Sequence, residues 1–268
     1  MSSNNNTQPD SAQQQDTEAI AVHSEQAELF ENRYAEAERD PYSSMFTYSR
    51  MRLDRMLRGF LSRDSAGTAL DLGCGTGSQL GMLAELGFEP TGLDGSQEML
   101  EIARAALPGV ELVHSNVRST PFPNGSFDAA VCIEVLRYLS DPTECLRELA
   151  RILRPGAPLY VTAAPRYNVN GYALLNRVAV RFPGSGLTPL RQFFTTPEIL
   201  KRNLAEAGFA QIEVYGVYTA PLNWLGRVSP KGLRRALPRW DRIDDRIADR
   251  SWIKGASGML LARAERDR

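Results

Sequence analysis

Glycines and acids in the first third of the chain are the residues best suited to bind a ligand. Residues 69–80 read ALDLGCGTGSQL, in which a short apolar run ends at Asp71 and Gly73, Gly75 and Gly77 follow at alternate positions. This pattern predicts a buried strand, a tight turn and the start of a helix. Glycine gives the turn its conformational freedom and lets a ligand approach the backbone, and free N–H groups at a helix start face that ligand. We therefore expect a nucleoside-bearing cofactor here, the alternative being a tight turn that binds nothing.

Asp94 ends the next predicted strand, where a carboxylate can accept both hydroxyls of a ribose. A nicotinamide cofactor would be held in the same way, so Asp94 alone does not identify the cofactor. Other features argue against a nicotinamide. The glycines alternate after an acid instead of following G-x-G-x-x-G. The segment PNGSFD leads into a later strand, and the helix after that strand ends in RILRPG. No separate catalytic domain follows.

The chain alternates between strand and helix patterns. Helical segments of about 10–15 residues separate apolar runs, which predicts an α/β fold with right-handed crossovers and a parallel sheet covered on both faces. In such sheets ligands bind beyond the carboxyl ends of the strands. The predicted strands end at Asp71 and Asp94 and cover residues 110–113, 127–133, 159–162, 212–215 and 258–262.

Taken together, these stretches resemble the class I S-adenosylmethionine-dependent methyltransferases of the small-molecule type. The matching segments are LDLGCGTG (70–77), TGLDGSQEML (91–100), the stretch 114–142 and LRELARILRPGAPLYVTAAP (146–165). Residues 193–209 are similar to the family's following helix. The resemblance implies a Rossmann-like, seven-stranded and mostly parallel sheet whose last strand is antiparallel, with helical cap insertions.

The resemblance also implies S-adenosyl-L-methionine as the cofactor and a set of residues that bind it. The three glycines would form the turn against the methionine part, Asp71 would help hold the amino group, and Asp94 would bind the ribose. Gly95 and Ser96 would lie next to the adenosine, and the segment from Cys132 to Glu134 would flank the sulfonium. The full expected set is Asp71, Gly73, Cys74, Gly75, Gly77, Asp94, Gly95, Asn116, Val117, Cys132 and Glu134.

The sequence departs from the family pattern in two places. Where the family normally has an acid that binds the adenine amino group, this chain has Asn116, whose carbonyl can still accept a hydrogen bond. Where family members often have a histidine, it has Tyr138, so no catalytic base is carried over. A sulfonium methyl group is already electrophilic, and a base helps only if the acceptor must lose a proton. The candidates are Tyr138, His114, His23 and Glu134, each of which also suits a structural role.

Composition limits the classes of partner. The chain has 268 residues, of which 43% are apolar, and a net charge of −1. No apolar run approaches the roughly 20 residues of a membrane helix, and the polar start shows no secretory signal, so we expect a cytoplasmic protein. The three cysteines lack metal-type spacing, so we expect reduced thiols and no metal site. No nucleic-acid module and no Asp/Asn-Pro-Pro-aromatic segment is present, so a nucleic-acid substrate is not expected.

Four regions follow from these patterns. Residues 1–16 are polar and predict a disordered tail. Residues 17–62 predict an N-terminal helical cap, with helices over 17–34 and 44–61, and residues 63–165 form the cofactor-binding core. Residues 166–268 complete the core and carry two acceptor-side insertions, 166–192 and 219–252, of which the first includes an apolar helix-like stretch at 172–182.

The second insertion is rich in arginine and tryptophan, and it admits two interpretations. Its acids, Asp241, Asp244, Asp245 and Asp249, stand at helical spacings that could pair with its own arginines, which would make it a solvated cap. Alternatively it is a basic, partly apolar rim for an anionic or lipid-bearing acceptor or a membrane surface.

The leading hypothesis is methyl transfer to a small-molecule acceptor, at an oxygen atom. The second is transfer to a lipid-linked or glycan substrate at a membrane, with residues 219–252 making peripheral contact. A non-catalytic S-adenosylmethionine-binding protein and a nicotinamide oxidoreductase are the remaining alternatives.

Overall fold

The computed structural model of the chain describes residues 11–169 and 192–268. The helices in this part of the chain are α1 (Ser11–Glu25), α2 (Ala27–Arg39), α3 (Met45–Leu61), α4 (Ser78–Glu85), α5 (Gln97–Ala106), α6 (Thr143–Ile152), α7 (Pro197–Glu206), α8 (Asn223–Val228) and α9 (Pro230–Ile247). The strands are β1 (Thr68–Leu72), β2 (Glu89–Asp94), β3 (Glu111–His114), β4 (Ala129–Cys132), β5 (Pro158–Ala163), β6 (Phe209–Gly216) and β7 (Leu260–Arg266). Short 3₁₀ helices cover Leu136–Tyr138 and Lys254–Ala256.

Seven strands form one sheet in the order β3-β2-β1-β4-β5-β7-β6. The pairs from β3 to β5 are parallel, and β7 runs antiparallel to both of its neighbours, β5 and β6. The predicted α/β, Rossmann-like fold with an antiparallel last strand is therefore confirmed. The strand order reverses at β1, which pairs with β2 on one side and β4 on the other, and this switch point is where such sheets bind ligands.

Both faces of the sheet are buried, because successive residues of a strand point to opposite sides. Leu70 and Leu72 of β1 belong to a core cluster with residues of α6, such as Leu146. Ala69, the residue before Leu70, belongs to a second cluster with residues of α3, such as Leu53. The helix that precedes the sheet in sequence is thus packed directly on it.

The N-terminal helices differ from the prediction in two respects. Helix α1 begins at Ser11, so residues 11–16 are helical where a disordered tail was predicted. The single helix predicted over 17–34 is two helices, α1 and α2, which are separated at Gln26. The next helix agrees with the prediction, since Ser44 caps α3 through a capping box with Thr47. Residues 1–10 and 170–191, the latter including the predicted helix-like stretch 172–182, lie outside the described residues.

The second insertion forms α8 and α9, and α9 is attached to α3 through buried acids. Asp244 accepts hydrogen bonds from the Tyr48 hydroxyl at 2.6 Å, the Thr219 amide at 2.8 Å and the Thr219 hydroxyl at 2.5 Å. Burial and this neighbouring carboxylate raise the pKa of Tyr48 far above its usual value. The tyrosine therefore remains a hydrogen-bond donor.

Two further acids of α9 bind arginines of α3. Asp241 accepts from Arg52 at 2.8 Å and from Arg55 at 2.9 Å, and Asp245 also pairs with both arginines. The expectation that the acids at 241, 244 and 245 pair with arginines of their own insertion was therefore wrong. They bind groups of α3 instead, because α3 offers cations and a tyrosine hydroxyl on the face that α9 covers; Asp241 and Asp244 are buried there, and Asp245 is half exposed.

Every helix in the described residues is too short or too polar to cross a bilayer.

Replacing Asp244 with alanine should lower the free energy of unfolding by about 3 kcal/mol, because it leaves buried donors of Tyr48 and Thr219 unpaired. Asp244→Asn keeps an acceptor and should cost less. Urea denaturation measures both, with Arg242→Ala as the control because Arg242 is exposed on the same helix. A D244A variant as stable as R242A would contradict this account of the insertion.

Candidate functional site

A cavity of about 830 Å³ lies at the carboxyl edge of the sheet. Its floor is the turn after β1 and the end of β2, its roof is formed by α1 and α2, and its far wall includes residues 218 and 223–227. Ligand pockets in proteins usually measure about 300–1,000 Å³, so this one is at the large end of that range. The predicted turn and the predicted acceptor-side insertion thus share one space.

The turn after β1 can be built only with glycine at its first position. Gly73 has φ of +79°, and a Cβ there would lie 2.2 Å from a methyl carbon of Val135. The amides of Gly73 and Cys74 donate to the Leu93 carbonyl at 2.7 and 3.0 Å, which fastens the turn to the end of β2. Gly75 has φ of +52° with open space where a Cβ would stand. A ligand can therefore approach the backbone at this point.

Asp94 is held in place by the same turn. Its Oδ2 accepts the Gly75 amide at 2.8 Å, and its Oδ1 accepts the Ser96 amide at 2.9 Å. Burial raises the pKa of Asp94, and the backbone donors partly offset that effect. The carboxylate is thus positioned before any ligand arrives, as a ribose-binding acid requires.

Asp71 is a buried carboxyl group without a compensating partner. It has no solvent exposure, and neither of its oxygens has a hydrogen-bond partner among the described residues. Burial, reinforced by the neighbouring charge of Asp94, raises the pKa of Asp71 to about 8. Such a group stays protonated at neutral pH unless a cation comes close to it. Arg50 partly offsets these effects, and a cationic ligand group beside Asp71 would further favour the ionised form.

Arg50 was missed by the sequence analysis. It is 3% exposed, donates to the Ser78 hydroxyl at 3.2 Å at the start of α4, and lies 3.5 Å from Asp54. Its guanidinium carbon stands 4.9 Å from the ring centre of Tyr34, and its Nε has no partner among the described residues. A guanidinium beside a helix start is suited to bind a carboxylate. The sequence does contain a sign that Arg50 is buried, because it stands on the apolar stripe of α3, four residues after Phe46 and three before Leu53.

Most of the predicted site residues line the cavity. They are Gly73, Gly75, Asp94, Gly95, Asn116, Val117, Glu134, Tyr138 and His23. The Asn116 carbonyl oxygen already accepts the Arg118 amide at 2.8 Å, so any hydrogen bond to an adenine amino group would share that oxygen.

Four predicted cofactor residues do not line the cavity. Asp71, in β1, is fully buried two residues before the turn. The side chain of Cys74 packs with Leu80 and Leu100 in an apolar cluster behind the turn. Cys132 is fully buried in the main core. Gly77 forms the N-cap of α4 with φ of +93°, so it shapes the turn and does not line the cavity. The side chain of Cys132, at the end of β4, and that of Cys74, in the turn, both point into apolar clusters. Their role is therefore packing.

Two of the four candidate bases are already bound to other groups. His114 is exposed, lies outside the cavity and donates from Nε2 to the Gly95 carbonyl at 2.9 Å. Glu134 lines the cavity with φ of +64°, which is an unusual backbone conformation for a residue other than glycine. Its amide donates to the Thr162 hydroxyl at 2.7 Å, and its carboxylate pairs with Arg137. The carboxylate of Glu134 is therefore already engaged by Arg137.

The other two candidates lie together in the roof of the cavity. The His23 ring stacks on Phe30, with centroids 5.2 Å apart, and meets the Tyr138 ring edge-on at 4.7 Å. His23 Nδ1 lies 2.7 Å from the Ala19 carbonyl and therefore carries the proton in that hydrogen bond. In the neutral ring, Nε2 is then the acceptor, and it has no hydrogen-bond partner among the described residues.

Comparison with known proteins agrees with this geometry. Residues 70–161 match a family model described as "Methyltransferase domain". The core of this chain is that of a class I S-adenosylmethionine-dependent methyltransferase. The methyltransferase fold extends beyond that match, because a solved Thermotoga maritima S-adenosylmethionine-dependent methyltransferase superposes with a TM-score of 0.61 at 18% identity, covering 92% of this chain and 99% of that one.

Two relatives share the methyltransferase core. A demethylmenaquinone methyltransferase of Listeria welshimeri is 40% identical over 121 residues, which cover 42% of this chain and 51% of that protein. A ubiquinone biosynthesis O-methyltransferase of Aeromonas salmonicida is 29% identical over 162 residues, which cover 58% of this chain and 67% of that protein. The chain thus spans about half the length of the Listeria relative.

The residues at the cavity fit S-adenosylmethionine, the cofactor of this family. Arg50 is a cation near the buried Asp71, and the cofactor would bring two more, its ammonium and its sulfonium. The glycine turn leaves room for a ligand against the backbone, and Asp94 is held where a ribose-binding carboxylate is needed.

Cofactor binding should release a proton from Asp71. A pKa of about 8 means that the folded protein holds this proton at pH 7, whereas an exposed aspartate does not. By linkage, the contribution of Asp71 to stability falls as the pH rises from about 4 to about 8. The positive charges of S-adenosylmethionine should lower this pKa, so binding at pH 7 should release up to about one proton per cofactor from this group.

Calorimetry in buffers of different ionisation enthalpy measures that proton, and Asp71→Asn is the comparison because it keeps the shape without the titrating group. The number of protons released should be smaller for D71N than for the wild type. Equal release by the two proteins would show that Asp71 does not face the bound cofactor.

Asp94→Ala should weaken S-adenosylmethionine binding by roughly 1–3 kcal/mol, because the ribose hydroxyls and the Gly75 amide lose their acceptor. Asp94→Asn keeps an acceptor for Gly75 but removes the charge, so its affinity for S-adenosylmethionine should lie between those of the wild type and D94A. Titration calorimetry gives the affinities, and Glu101→Ala, an exposed acid on α5, is the matched control. An affinity of D94A equal to that of E101A would exclude Asp94 from the site.

Proposed function

We propose that this chain transfers the methyl group of S-adenosylmethionine to an oxygen atom of a small-molecule acceptor. The observation that supports this best is the single cavity that joins the glycine turn and Asp94 to an aromatic compartment under residues 218–227. A cofactor at one end would leave room for an acceptor at the other. The two reactants could then meet away from water.

The proposed cofactor placement follows the charges around the turn. The ribose lies on Asp94, and the methionine end lies against Gly73 and Gly75. The ammonium group lies near Asp71, which has no other cation at hydrogen-bond distance among the described residues. The carboxylate lies near Arg50, whose guanidinium sits at the start of α4. The ammonium and the carboxylate of the cofactor thereby each lie near a buried group of opposite charge.

The protein's contribution to the reaction is alignment and the exclusion of water. S-adenosylmethionine supplies an electrophilic methyl group on a sulfonium. Transfer then requires the acceptor atom to stand in line with the bond that breaks, which a closed cavity can enforce. The paired Glu134 and Arg137 lie on the cavity wall next to the turn, where they can fix the acceptor's orientation.

The acceptor compartment is largely aromatic and apolar. It is lined by Phe30, Phe46, Tyr218, Trp224 and Met259, with polar groups from Gln192 and Asn223. Such a surface favours a flat or hydrophobic acceptor that presents a hydroxyl. One relative is named a demethylmenaquinone methyltransferase and the other a ubiquinone biosynthesis O-methyltransferase. Both names refer to a quinone, which supports a flat, hydrophobic acceptor, and the second name refers to transfer to oxygen.

His23 is the proposed proton acceptor for that hydroxyl. A hydroxyl must lose its proton as it is methylated, and a positioned base typically contributes about 10²–10⁴-fold to such a step. Of the four candidates, His23 lines the cavity and keeps an acceptor nitrogen that is not already used.

Methyl transfer should appear as S-adenosylhomocysteine formation when the protein is incubated with S-adenosylmethionine and a panel of phenols, catechols and short-tailed quinols. Mass spectrometry then locates the new methyl group. His23→Gln should lower kcat on hydroxylated acceptors by about tenfold or more with unchanged cofactor affinity. Glu101→Ala should behave as the wild type.

Other results would favour the alternatives. Tight S-adenosylmethionine binding with no turnover of any acceptor would indicate a non-catalytic binding protein. Methylation confined to amines would overturn the choice of oxygen. Stabilisation by NAD(H) with no response to S-adenosylhomocysteine would point to an oxidoreductase.

A further inference from the structure

The outer face of α9 carries an unbroken row of basic side chains. Helix α9 has 18 residues, about 27 Å long, and its buried side includes Leu233, Leu237 and Asp244. At 3.6 residues per turn, the opposite side consists of exposed residues spaced three or four apart. We call these residues the basic stripe: Lys231, Arg235, Arg239, Arg242 and Arg246.

The fold itself does not explain the basic stripe. Two acids of α9 that could have neutralised it, Asp241 and Asp245, pair with Arg52 and Arg55 of α3 instead. None of the five stripe residues has an ion-pair partner among the described residues, whereas the neighbouring Arg234 pairs with Asp40. Like charges three or four residues apart destabilise a helix. The basic stripe therefore lowers the stability of the helix, and no ion pair among the described residues compensates for this.

Exposed apolar side chains stand at both ends of this helix. Trp224 and Val228 of α8 are 62% and 76% exposed, and Trp252, after the end of α9, is 71% exposed. Trp224 also lines the cavity, together with Arg227. The apolar patch at the start of the stripe is thus the rim of the acceptor compartment.

We propose that the basic stripe, with Trp224, Val228 and Trp252, docks this protein on an anionic lipid bilayer. Basic side chains attract anionic headgroups, and tryptophan is well suited to the boundary between headgroups and acyl chains. A nucleic acid would use the positive charge but not the exposed valine and tryptophans at the two ends. Docking in this way brings the cavity mouth to the lipid surface, so an acceptor could pass between bilayer and cavity.

This last point, the route of the acceptor, rests on the proposed function, whereas docking does not. Sedimentation with vesicles measures docking without any methyl transfer. Full-length protein should sediment with vesicles of phosphatidylglycerol and phosphatidylcholine, and not with phosphatidylcholine alone. Raising the ionic strength should release it, since exposed charges are screened. Tryptophan emission should shift to the blue on binding to the anionic vesicles.

The test variant is Arg235→Glu/Arg239→Glu/Arg242→Glu. Its affinity for the anionic vesicles should fall by at least about a hundredfold, because three attractive charges become repulsive. The matched control is Arg104→Glu/Arg147→Glu/Lys201→Glu, which changes the net charge equally at exposed sites on α5, α6 and α7. It should keep most of the affinity. Both variants should bind S-adenosylmethionine like the wild type, which shows that they are folded.

Three results would overturn docking. The wild type could fail to sediment with anionic vesicles at low salt. The stripe variant could sediment as well as the control variant. The protein could bind duplex DNA or RNA at salt concentrations that abolish vesicle binding. Each of these would leave the cofactor and acceptor assays unaffected, so the failure of docking is distinguishable from failure of the proposed function.

Discussion

A buried carboxyl group at the end of β1 is the constraint on which the rest of the site depends. Asp71 is inaccessible to solvent and lacks a hydrogen-bond partner among the described residues, and Asp94 stands beside it as the second acid. Removing a carboxylate from water is costly unless a cation or a proton compensates it. Arg50 supplies one nearby cation, and a ligand with two positive centres would supply more. The site thus has an electrostatic requirement that S-adenosylmethionine meets.

The C-terminal insertion and the N-terminal helices together shape this environment. Asp241 and Asp244 of α9 hold Arg52 and Tyr48 on α3. Helix α3 also presents Arg50 to the start of α4, directly after the turn that follows β1. The insertion is far from α3 in sequence, but by holding α3 it helps to position Arg50, the cation at the cofactor end of the cavity. It also turns Asp241 and Asp244 of α9 inward, which leaves the outer face of that helix basic.

Local patterns predicted the sheet and the turn, because their causes are local. The apolar run before Asp71, the alternating glycines and the serine or threonine caps each act within a few residues. Ser44, Ser96 and Thr196 cap α3, α5 and α7, each by accepting the amide three residues further on. The antiparallel last strand followed from the resemblance to a known family.

What the sequence did not reveal depends on distant partners. The inward direction of Asp244 is set by Tyr48 and Thr219, which no spacing within α9 encodes. Cys74 was expected at the ligand because of its place in the motif, but its side chain leaves the turn on the packed side. Arg50 carried a signal, a charged residue on an apolar stripe, although its meaning emerges only once α3 is seen against the turn.

A crystal structure with S-adenosylhomocysteine tests the central claim most directly. The account predicts density along the carboxyl edge of β1 and β2, with the ribose hydroxyls within hydrogen-bond distance of Asp94, the amino group close to Asp71 and the carboxylate beside Arg50. A nucleoside bound elsewhere, or a cofactor whose amino group lies away from Asp71 with that carboxyl group still enclosed by protein, would contradict it.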